Sequence, residues 1–122
     1  HQVLLPKDFL RWRTSGDFAS DLADAAGTSW VNVADRKYSP EMIAATDLTI
    51  EQLPKLYEGT EITSTVRPAL AEAWGIPKNT VIVAGAGDNA AGAMSFGVIQ
   101  AGSAFLSLGT SGVYFVANHQ YQ

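Results

Sequence analysis

Two short segments carry the residue types that could do chemistry, and the first is residues 85–89, Gly-Ala-Gly-Asp-Asn. It follows the apolar run 81–84, which predicts a strand buried on both faces. Ligands bind beyond the carboxyl ends of strands in open α/β sheets, so Asp88 is a candidate catalytic or substrate-binding carboxylate. Asn89 adds a neutral donor and acceptor that suits a polyol hydroxyl or, equally, a turn. The alternative for Asp88 is structural, because Asp is also a favoured N-cap of a helix.

The second segment is a turn that offers a place for phosphate oxygens. Gly109, Thr110, Ser111 and Gly112 lie between two predicted strands and present backbone N–H groups and two hydroxyls. Such a concavity can bind a phosphate group. An ordinary hairpin turn has the same composition, so that alternative stays open. The turn is not a Walker loop, because no Gly-Lys-Ser/Thr sequence is present.

Two other patterns are weaker signals. Residues 85–90 fit the loose dinucleotide fingerprint G-x-G-x-x-A, but no acid follows them to bind a ribose. Asp21 and Asp24 could bind a metal or exchange protons, whereas the alternative is a solvated turn with an N-cap. His1 and His119 do not stand at the spacing of metal ligands, and the chain has no cysteine. We therefore predict no zinc site and no metal-binding residue.

The elements that must position these segments follow from the apolar pattern and from Pro, Gly and capping residues. Helices are predicted over residues 6–13, 40–46, 49–53, 68–74 and 88–96, with Ser39 as the N-cap of the second. The first is expected to end at Ser15-Gly16-Asp17 and the fourth at Gly75. Strands are predicted over residues 29–34, 61–66, 81–84, 103–108 and 113–117. Residues 18–26 predict a turn or a short helix capped by Ser20. The mixture of a buried strand, helices and an antiparallel hairpin indicates an α/β protein.

Composition and charge exclude several classes of protein. The 122 residues include 8 Lys+Arg and 12 Asp+Glu, a formal net charge of −4, which argues against nucleic acid or an anionic membrane surface as a partner. Without cysteine there is no disulfide scaffold, thiolate metal site or catalytic thiol. No apolar run approaches the roughly 18 residues of a membrane span, and we expect a cytoplasmic protein.

Charge is distributed unevenly along the chain. No Asp, Glu, Lys or Arg occurs from Asn89 to Gln122, whereas an independent surface almost always displays charge. We therefore expect this stretch to be mostly interior or interface in a longer parent protein, of which a chain that begins at His1 would be a segment. The alternative is a core segment of a complete small domain. Apolar surface exposed by this stretch should favour self-association.

Three segments together resemble the FGGY family of carbohydrate kinases and, within it, the xylulokinases. They are residues 5–28, residues 87–93 (Gly-Asp-Asn-Ala-Ala-Gly-Ala) and residues 107–113 (Ser-Leu-Gly-Thr-Ser-Gly-Val). Their order and spacing are similar to the middle of such a kinase, and the likeness extends over essentially the whole chain. The resemblance implies ATP-dependent phosphorylation of a sugar hydroxyl, most specifically conversion of D-xylulose to D-xylulose 5-phosphate.

The resemblance also implies a role for each candidate residue. Asp88 matches the family's catalytic base, which takes the proton of the attacking sugar hydroxyl, and Asn89 matches a neighbouring sugar contact. Gly109 and Thr110, together with Ser111, match the second phosphate loop, which touches the phosphates of ATP. Mg²⁺ is expected to be bound through phosphates, waters and carboxylates.

The fold implied by the resemblance is the actin-like ATPase (ribonuclease H-like) fold, with two domains that face each other across a cleft. Residues 1–98 would form the C-terminal part of the first, sugar-binding domain, and residues 99–122 would form the opening β-hairpin of the second, nucleotide-binding domain. The family's first phosphate loop and its adenosine motif do not occur in the sequence. We therefore expect the segment alone to be inactive and to bind ATP weakly.

Expected partners and alternative functions follow from the same resemblance. The partners are a small-molecule sugar and ATP, with no nucleic acid and no membrane, and a homodimer is one option. The alternatives are a kinase for another pentulose or polyol (ribulose, glycerol or gluconate) and a non-catalytic actin-like nucleotide-binding module. Asp88 beside Asn89 favours the enzyme, because a non-catalytic module needs no base aimed at a hydroxyl.

Overall fold

A computed structural model describes residues 1–121 as a mixed α/β structure built from short elements. The helices are α1 (Pro6–Ser15), α2 (Leu22–Ala25), α3 (Pro40–Ala45), α4 (Pro68–Trp74) and α5 (Asp88–Ser95), and 3-10 turns cover Ala26–Thr28 and Ile50–Gln52. The strands are β1 (Ala19–Asp21), β2 (Val31–Asn32), β3 (Lys37–Tyr38), β4 (Lys55–Tyr57), β5 (Ile62–Thr65), β6 (Val81–Val83), β7 (Ala104–Leu108) and β8 (Gly112–Val116). The predicted α/β class is confirmed.

The chain divides into two compact units, which we describe separately. Unit 1 is His1–Ala86 and unit 2 is Gly87–Gln122, of which Gln122 lies outside the described residues. The resemblance to the FGGY family implies a boundary between the family's two domains at residues 98 and 99. That assignment concerns the parent fold and stays a prediction, and Gln122, its last residue, is not described.

Helix ends in unit 1 are set by the residues that the sequence pattern singled out. Ser39 is the N-cap of α3, and its hydroxyl accepts the backbone N–H of Met42 at 3.3 Å. α1 ends at Gly16 and α4 ends at Gly75, both in the left-handed conformation, with φ of 97° and 66°. The helices predicted over residues 6–13, 40–46 and 68–74 are confirmed to within a few residues.

The strands of unit 1 form two-stranded pairs. β1 and β4 are parallel, with Ser20 opposite Leu56, whereas β2–β3 and β5–β6 are antiparallel. The prediction of a turn or helix capped by Ser20 is wrong at its start, because residues 19–21 are the strand β1. The N-cap of α2 is Asp21, whose carboxylate accepts the backbone N–H of Asp24 at 3.0 Å.

The prediction that the strand ending at residue 84 is buried on both faces is wrong for this chain. Val81 and Val83 are 51% and 44% exposed, and only Ala84, just beyond β6, is buried. The physical reason is the sheet itself: within residues 1–121, β6 hydrogen-bonds to β5 alone, so one edge of β6 has no neighbour.

The core of unit 1 lies between its helices and strand pairs. Its buried apolar side chains are Ala19, Ala25, Val31, Ile43, Leu53, Val66, Ala71 and Ala84. Buried polar side chains accompany them, namely Asp8, Arg11, Ser20 and Asp21. Unit 1 therefore encloses charged as well as apolar groups.

Unit 2 consists of α5 followed by the hairpin β7–β8. Phe105 pairs with Phe115 across the hairpin, with ring centroids 5.5 Å apart, and Phe96 just after α5 lies 5.6 Å from Phe105. The helix and both strands predicted here are confirmed. Among the described residues of unit 2 only Ala93 and Val98 are buried.

Candidate functional site

Asp88 is the first residue of α5, directly after the N-cap Gly87. Gly87 has extended dihedral angles of −65° and 153°, so the chain turns into the helix at the glycine. The Oδ1 of Asp88 accepts the backbone N–H of Asn89 at 2.7 Å, and an acid in the first turn complements the helix dipole. The side chain is exposed, and its Oδ2 accepts no hydrogen bond within residues 1–121. The alternative that Asp88 is the N-cap is therefore wrong, and one carboxylate oxygen is free to accept a proton.

Asn89 and the Gly-Thr-Ser turn are also on the surface of unit 2. Asn89 is the second residue of α5 and is exposed. Gly109, Thr110 and Ser111 connect the last register pair of the hairpin, Leu108 opposite Gly112. The backbone N–H of Gly109 donates to the carbonyl of Ser111 at 3.0 Å, and all three turn residues are exposed.

The predicted site residues therefore fall into two groups on neighbouring elements of one unit. Asp88 and Asn89 begin α5, and the turn residues lie between β7 and β8. No hydrogen bond within the described part of the chain joins the two groups. The first group presents the Oδ2 of Asp88 and the amide of Asn89, and the second presents the hydroxyls and backbone N–H groups of Thr110 and Ser111. A sugar hydroxyl and a phosphate are the chemistries that these atoms can bind.

Asp21 and Asp24 belong to an ion cluster in unit 1 that the sequence pattern did not reveal. The Nζ of Lys7 lies 2.6 Å from Asp8, 2.8 Å from Asp21 and 3.9 Å from Asp24. The side chains of Asp8 and Asp21 are fully buried, whereas that of Asp24 is 31% exposed. The alternative of a solvated turn is therefore wrong for Asp21, and its N-cap part is confirmed. The ammonium of Lys7 occupies the position between the carboxylates that a metal would need.

The cluster changes the acid–base behaviour of its neighbours. Burial by itself lowers the pKa of Lys7, but hydrogen bonds to Asp21 and Asp8 and their charges raise that pKa above its usual value. Burial and the charge of Asp8 raise the pKa of Tyr38 to about 12. Tyr38 donates its hydroxyl to the carbonyl of Pro54 at 2.7 Å. The raised pKa values keep Lys7 protonated and Tyr38 neutral at pH 7.

No local signal could have found this cluster, because its members come from separate elements. Lys7 and Asp8 lie on α1, and Asp21 ends β1, so only the folded chain brings them together. Across residues 1–121, no group of three or more His, Cys, Asp or Glu side chains could hold a metal ion. In the same residues, none of the helices is long and apolar enough to cross a membrane.

Comparisons with known proteins agree with the motifs. The model of the FGGY family of carbohydrate kinases, N-terminal domain, matches residues 1–95. The xylulose kinases of Klebsiella pneumoniae and Escherichia coli (strain K12) are 52% and 54% identical to the chain over 120 residues, which is 98% of this chain and 25% of each relative. The crystal structure of a xyloylose kinase from Brucella ovis is similar to it with a TM-score of 0.94 and 47% identity, over 99% of this chain and 25% of that structure.

These comparisons establish both the fold and the family. The chain spans about a quarter of the length of the relatives it matches, and it carries part of the actin-like ATPase fold. The family model covers most of the chain. The chain therefore belongs to the FGGY family of carbohydrate kinases.

Proposed function

We propose that the protein to which this chain contributes transfers the γ-phosphoryl group of ATP to D-xylulose and forms D-xylulose 5-phosphate. The observation that carries the proposal is the similarity to two xylulose kinases at 52% and 54% identity over nearly the whole chain. The exposed carboxylate at the start of α5 and the hydroxyl-bearing turn of the hairpin supply the chemistry that such a transfer needs.

In the proposed reaction Asp88 is the general base. A sugar hydroxyl is a weak nucleophile, and a carboxylate within hydrogen-bond reach accepts its proton as the new bond to phosphorus forms. The oxygen–phosphorus bond to the sugar forms, the bond from the γ-phosphorus to the bridging oxygen of ADP breaks, and the proton moves to a carboxylate oxygen of Asp88. The free Oδ2 is the atom suited to this task, because Oδ1 already accepts the N–H of Asn89.

Asn89 and the turn would position the two substrates. The amide of Asn89 can both donate to and accept from a sugar hydroxyl next to the one that reacts. Thr110 and Ser111 would donate backbone N–H groups and hydroxyls to the phosphates of ATP, which disperses the negative charge that develops during transfer. Gly109 has no side chain to block the approach of a phosphate.

The residues of unit 2 fit Mg²⁺ that is bound mainly by ATP. Asp88 is the one charged side chain among residues 87–121, so the chain offers a magnesium ion a single carboxylate there. Mg²⁺ commonly keeps several waters and binds substrate phosphates with one or two carboxylates. When bound, it would neutralise charge on the phosphates, while this chain holds the hydroxyl and accepts its proton.

The proposal includes three statements about the protein as a whole. The 122-residue chain alone neither phosphorylates sugar nor binds ATP tightly, because the first phosphate loop and the adenosine motif do not occur in its sequence. The reaction takes place in the cytoplasm. A homodimer remains one option for the full-length protein, and analytical ultracentrifugation measures it.

The test is a comparison of acceptors with the purified full-length protein. ADP release is measured with ATP, Mg²⁺ and either D-xylulose, L-ribulose, glycerol or gluconate, and thermal shifts with each sugar report binding. We expect D-xylulose to give the highest kcat/KM. A higher kcat/KM with another acceptor would reassign the substrate within the family. Binding of ATP without ADP release for any acceptor would instead favour the non-catalytic nucleotide-binding module.

A further inference from the structure

A turn in unit 1 holds the backbone just ahead of the candidate catalytic residue. The carbonyl of Gly59 accepts the backbone N–H of Gly85 at 2.9 Å, and the carbonyl of Glu61 accepts the N–H of Ala84 at 3.1 Å. Ala84 and Gly85 follow β6, and the chain reaches Asp88 three residues after Gly85. The turn at residues 58–61 therefore fixes the point from which the chain continues to the carboxylate.

The contact between Gly59 and Gly85 leaves no room for a side chain. A Cβ built on Gly59 would lie 2.5 Å from the carbonyl oxygen of Gly85, closer than real Cβ contacts come. Gly85 itself has φ of +95°, in the left-handed region that favours glycine. A substitution at Gly59 therefore has to push away the backbone of residue 85, because the obstructing atom is backbone and cannot rotate aside.

The turn that bears Gly59 is braced on both sides. The backbone N–H of Glu61 donates to the carbonyl of Glu58 at 3.0 Å, and the carboxylate of Glu61 accepts the N–H of Glu58 at 2.7 Å. Arg36 donates to both carboxylate oxygens of Glu58, at 3.1 and 2.6 Å. A braced turn transmits a displacement at Gly59 to Gly85 and does not absorb it.

Lys7 limits Gly85 from another direction. A Cβ built on Gly85 would lie 3.7 Å from the Cδ of Lys7, so the stem of Lys7 lies beside this glycine. The ammonium of Lys7 is held by the buried carboxylates of Asp8 and Asp21. The backbone at residue 85 is therefore confined by a braced turn and by a side chain that is anchored at its far end.

From this geometry we propose that Gly59 is a positioning residue for Asp88. Its lack of a side chain lets the turn grip Gly85, and that grip holds the backbone leading to the carboxylate in the place where it meets the sugar hydroxyl. The inference rests on the proposed function and deepens it. It concerns a residue that touches neither substrate and acts through the chain segment 85–88.

The test uses Gly59→Ala in the full-length protein, with Gly27→Ala as the matched control. A Cβ on Gly27 meets nothing within 4 Å, so this control adds the same methyl group without a clash. For Gly59→Ala we expect kcat with D-xylulose, per folded enzyme, to fall about 10- to 100-fold, as a misplaced catalytic group does. The KM for ATP should stay at the wild-type value, and Gly27→Ala should keep the wild-type kcat.

A double-mutant cycle separates positioning from a general structural role. In an Asp88→Ala background the residue to be positioned is gone, so Gly59→Ala should cause no further loss of the residual single-turnover rate. Should Gly59→Ala fail to fold, Glu61→Ala serves instead, because it removes the brace at the N–H of Glu58. It should give a smaller loss that also disappears when Asp88 is absent.

Two results would overturn the inference while the proposed function stands. One is an active wild-type enzyme whose kcat is unchanged by both Gly59→Ala and Glu61→Ala. The other is an equal fractional loss with and without Asp88, which would mean that the turn acts through another part of the enzyme. A wild-type protein that phosphorylates no sugar contradicts the proposed function itself, so the two failures are distinguishable.

Discussion

Unit 1 and unit 2 differ in what they bury and in what they leave exposed. Unit 1 contains every Lys, Arg, Asp and Glu of the chain except Asp88, and it buries two carboxylates, Asp8 and Asp21, against Lys7. Unit 2 has one charged residue, and among its described residues only Ala93 and Val98 are buried.

The difference shows how the two units depend on the rest of the protein. Unit 1 pairs its two buried carboxylates with Lys7. In unit 2, large apolar side chains are exposed at eight of the 35 described residues. These are Met94, Phe96, Ile99, Leu106, Leu108, Tyr114, Val116 and Tyr121, exposed by 38% to 78%. The relatives that the chain matches are about four times longer than the chain itself. We therefore expect other parts of the full-length protein to cover this exposed apolar surface of unit 2. The candidate catalytic groups are thus borne by the unit that depends more on its surroundings.

The largest effect on this comparison of the two units is expected from Asp88→Ala, which removes the one charged side chain of unit 2. In the full-length enzyme, Asp88→Ala should lower kcat by about 10²- to 10⁴-fold, because the general base is lost. Its cost in stability should be about 0.5–1 kcal/mol, since an exposed acid in the first turn of a helix contributes little to folding. Steady-state kinetics and urea denaturation measure the two quantities on the same preparation.

Glu72→Ala is the matched control for Asp88→Ala. Glu72 is an exposed acid on α4 in unit 1, so its removal changes the net charge equally. We expect wild-type kcat from this control. A wild-type turnover number in Asp88→Ala would remove that residue from the mechanism, and a large loss in both variants would point to a general effect of charge.

The second largest effect is expected in unit 1, where a substitution should change the free energy of unfolding and not the catalytic step. Asp21→Ala removes the N-cap of α2 and leaves the ammonium of Lys7 with one fewer buried partner, which should lower the free energy of unfolding by about 3 kcal/mol. Asp35→Ala breaks an exposed pair with Lys37 at 3.5 Å and should cost less than about 1 kcal/mol. Urea denaturation of the two variants compares them, and equal costs would mean that the buried cluster is energetically no different from the surface pair.

Some elements of the fold could be predicted from the sequence and others could not. Helix ends are local, so Ser39, Gly16 and Gly75 marked them correctly. The hairpin β7–β8 was also predictable, because two apolar runs flank a Gly-Thr-Ser turn. β4 was missed, since a three-residue strand whose partner is β1 has no pattern of its own.

The candidate site also contains residues that the sequence predicts and contacts that it does not. Asp88 and the Gly109 turn are contiguous in sequence, so family resemblance and residue type sufficed to single them out. The cluster around Lys7 and the contact between Gly59 and Gly85 join residues far apart in the chain. No spacing rule reports such contacts, because they exist only when separate elements pack together. The burial of β6 was overestimated for a related reason, since an apolar run indicates potential burial and not the neighbours that would provide it.

A smaller effect concerns the exposed apolar surface of unit 2. The 122-residue chain should self-associate, and Leu106→Lys with Tyr114→Lys should weaken that association roughly tenfold. These residues face each other across the hairpin and are 61% and 73% exposed. The matched control places two lysines on unit 1, at Leu10 and Trp74, which are 66% and 55% exposed. Sedimentation analysis that showed equal weakening by both pairs would erase the distinction between the units.

The smallest expected effect is a pH dependence that belongs to unit 1. The pKa of Tyr38 is raised from 10.0 to about 12, so between those pH values the unfolded chain releases a phenol proton that the folded chain retains. Unfolding is therefore favoured as the pH rises. The pKa of Lys7 is also raised in the folded state, so the contribution of Lys7 to the free energy of unfolding is likewise lost as the pH rises above 10.5.

Tyr38→Phe removes only the phenol part of this dependence. Its stability should fall less steeply than that of the wild type between pH 9 and pH 11, by up to about 1 kcal/mol after allowance for partial exposure. Urea denaturation of the full-length protein at those two pH values measures the difference, and parallel losses in wild type and variant would show that folding does not raise the pKa of Tyr38.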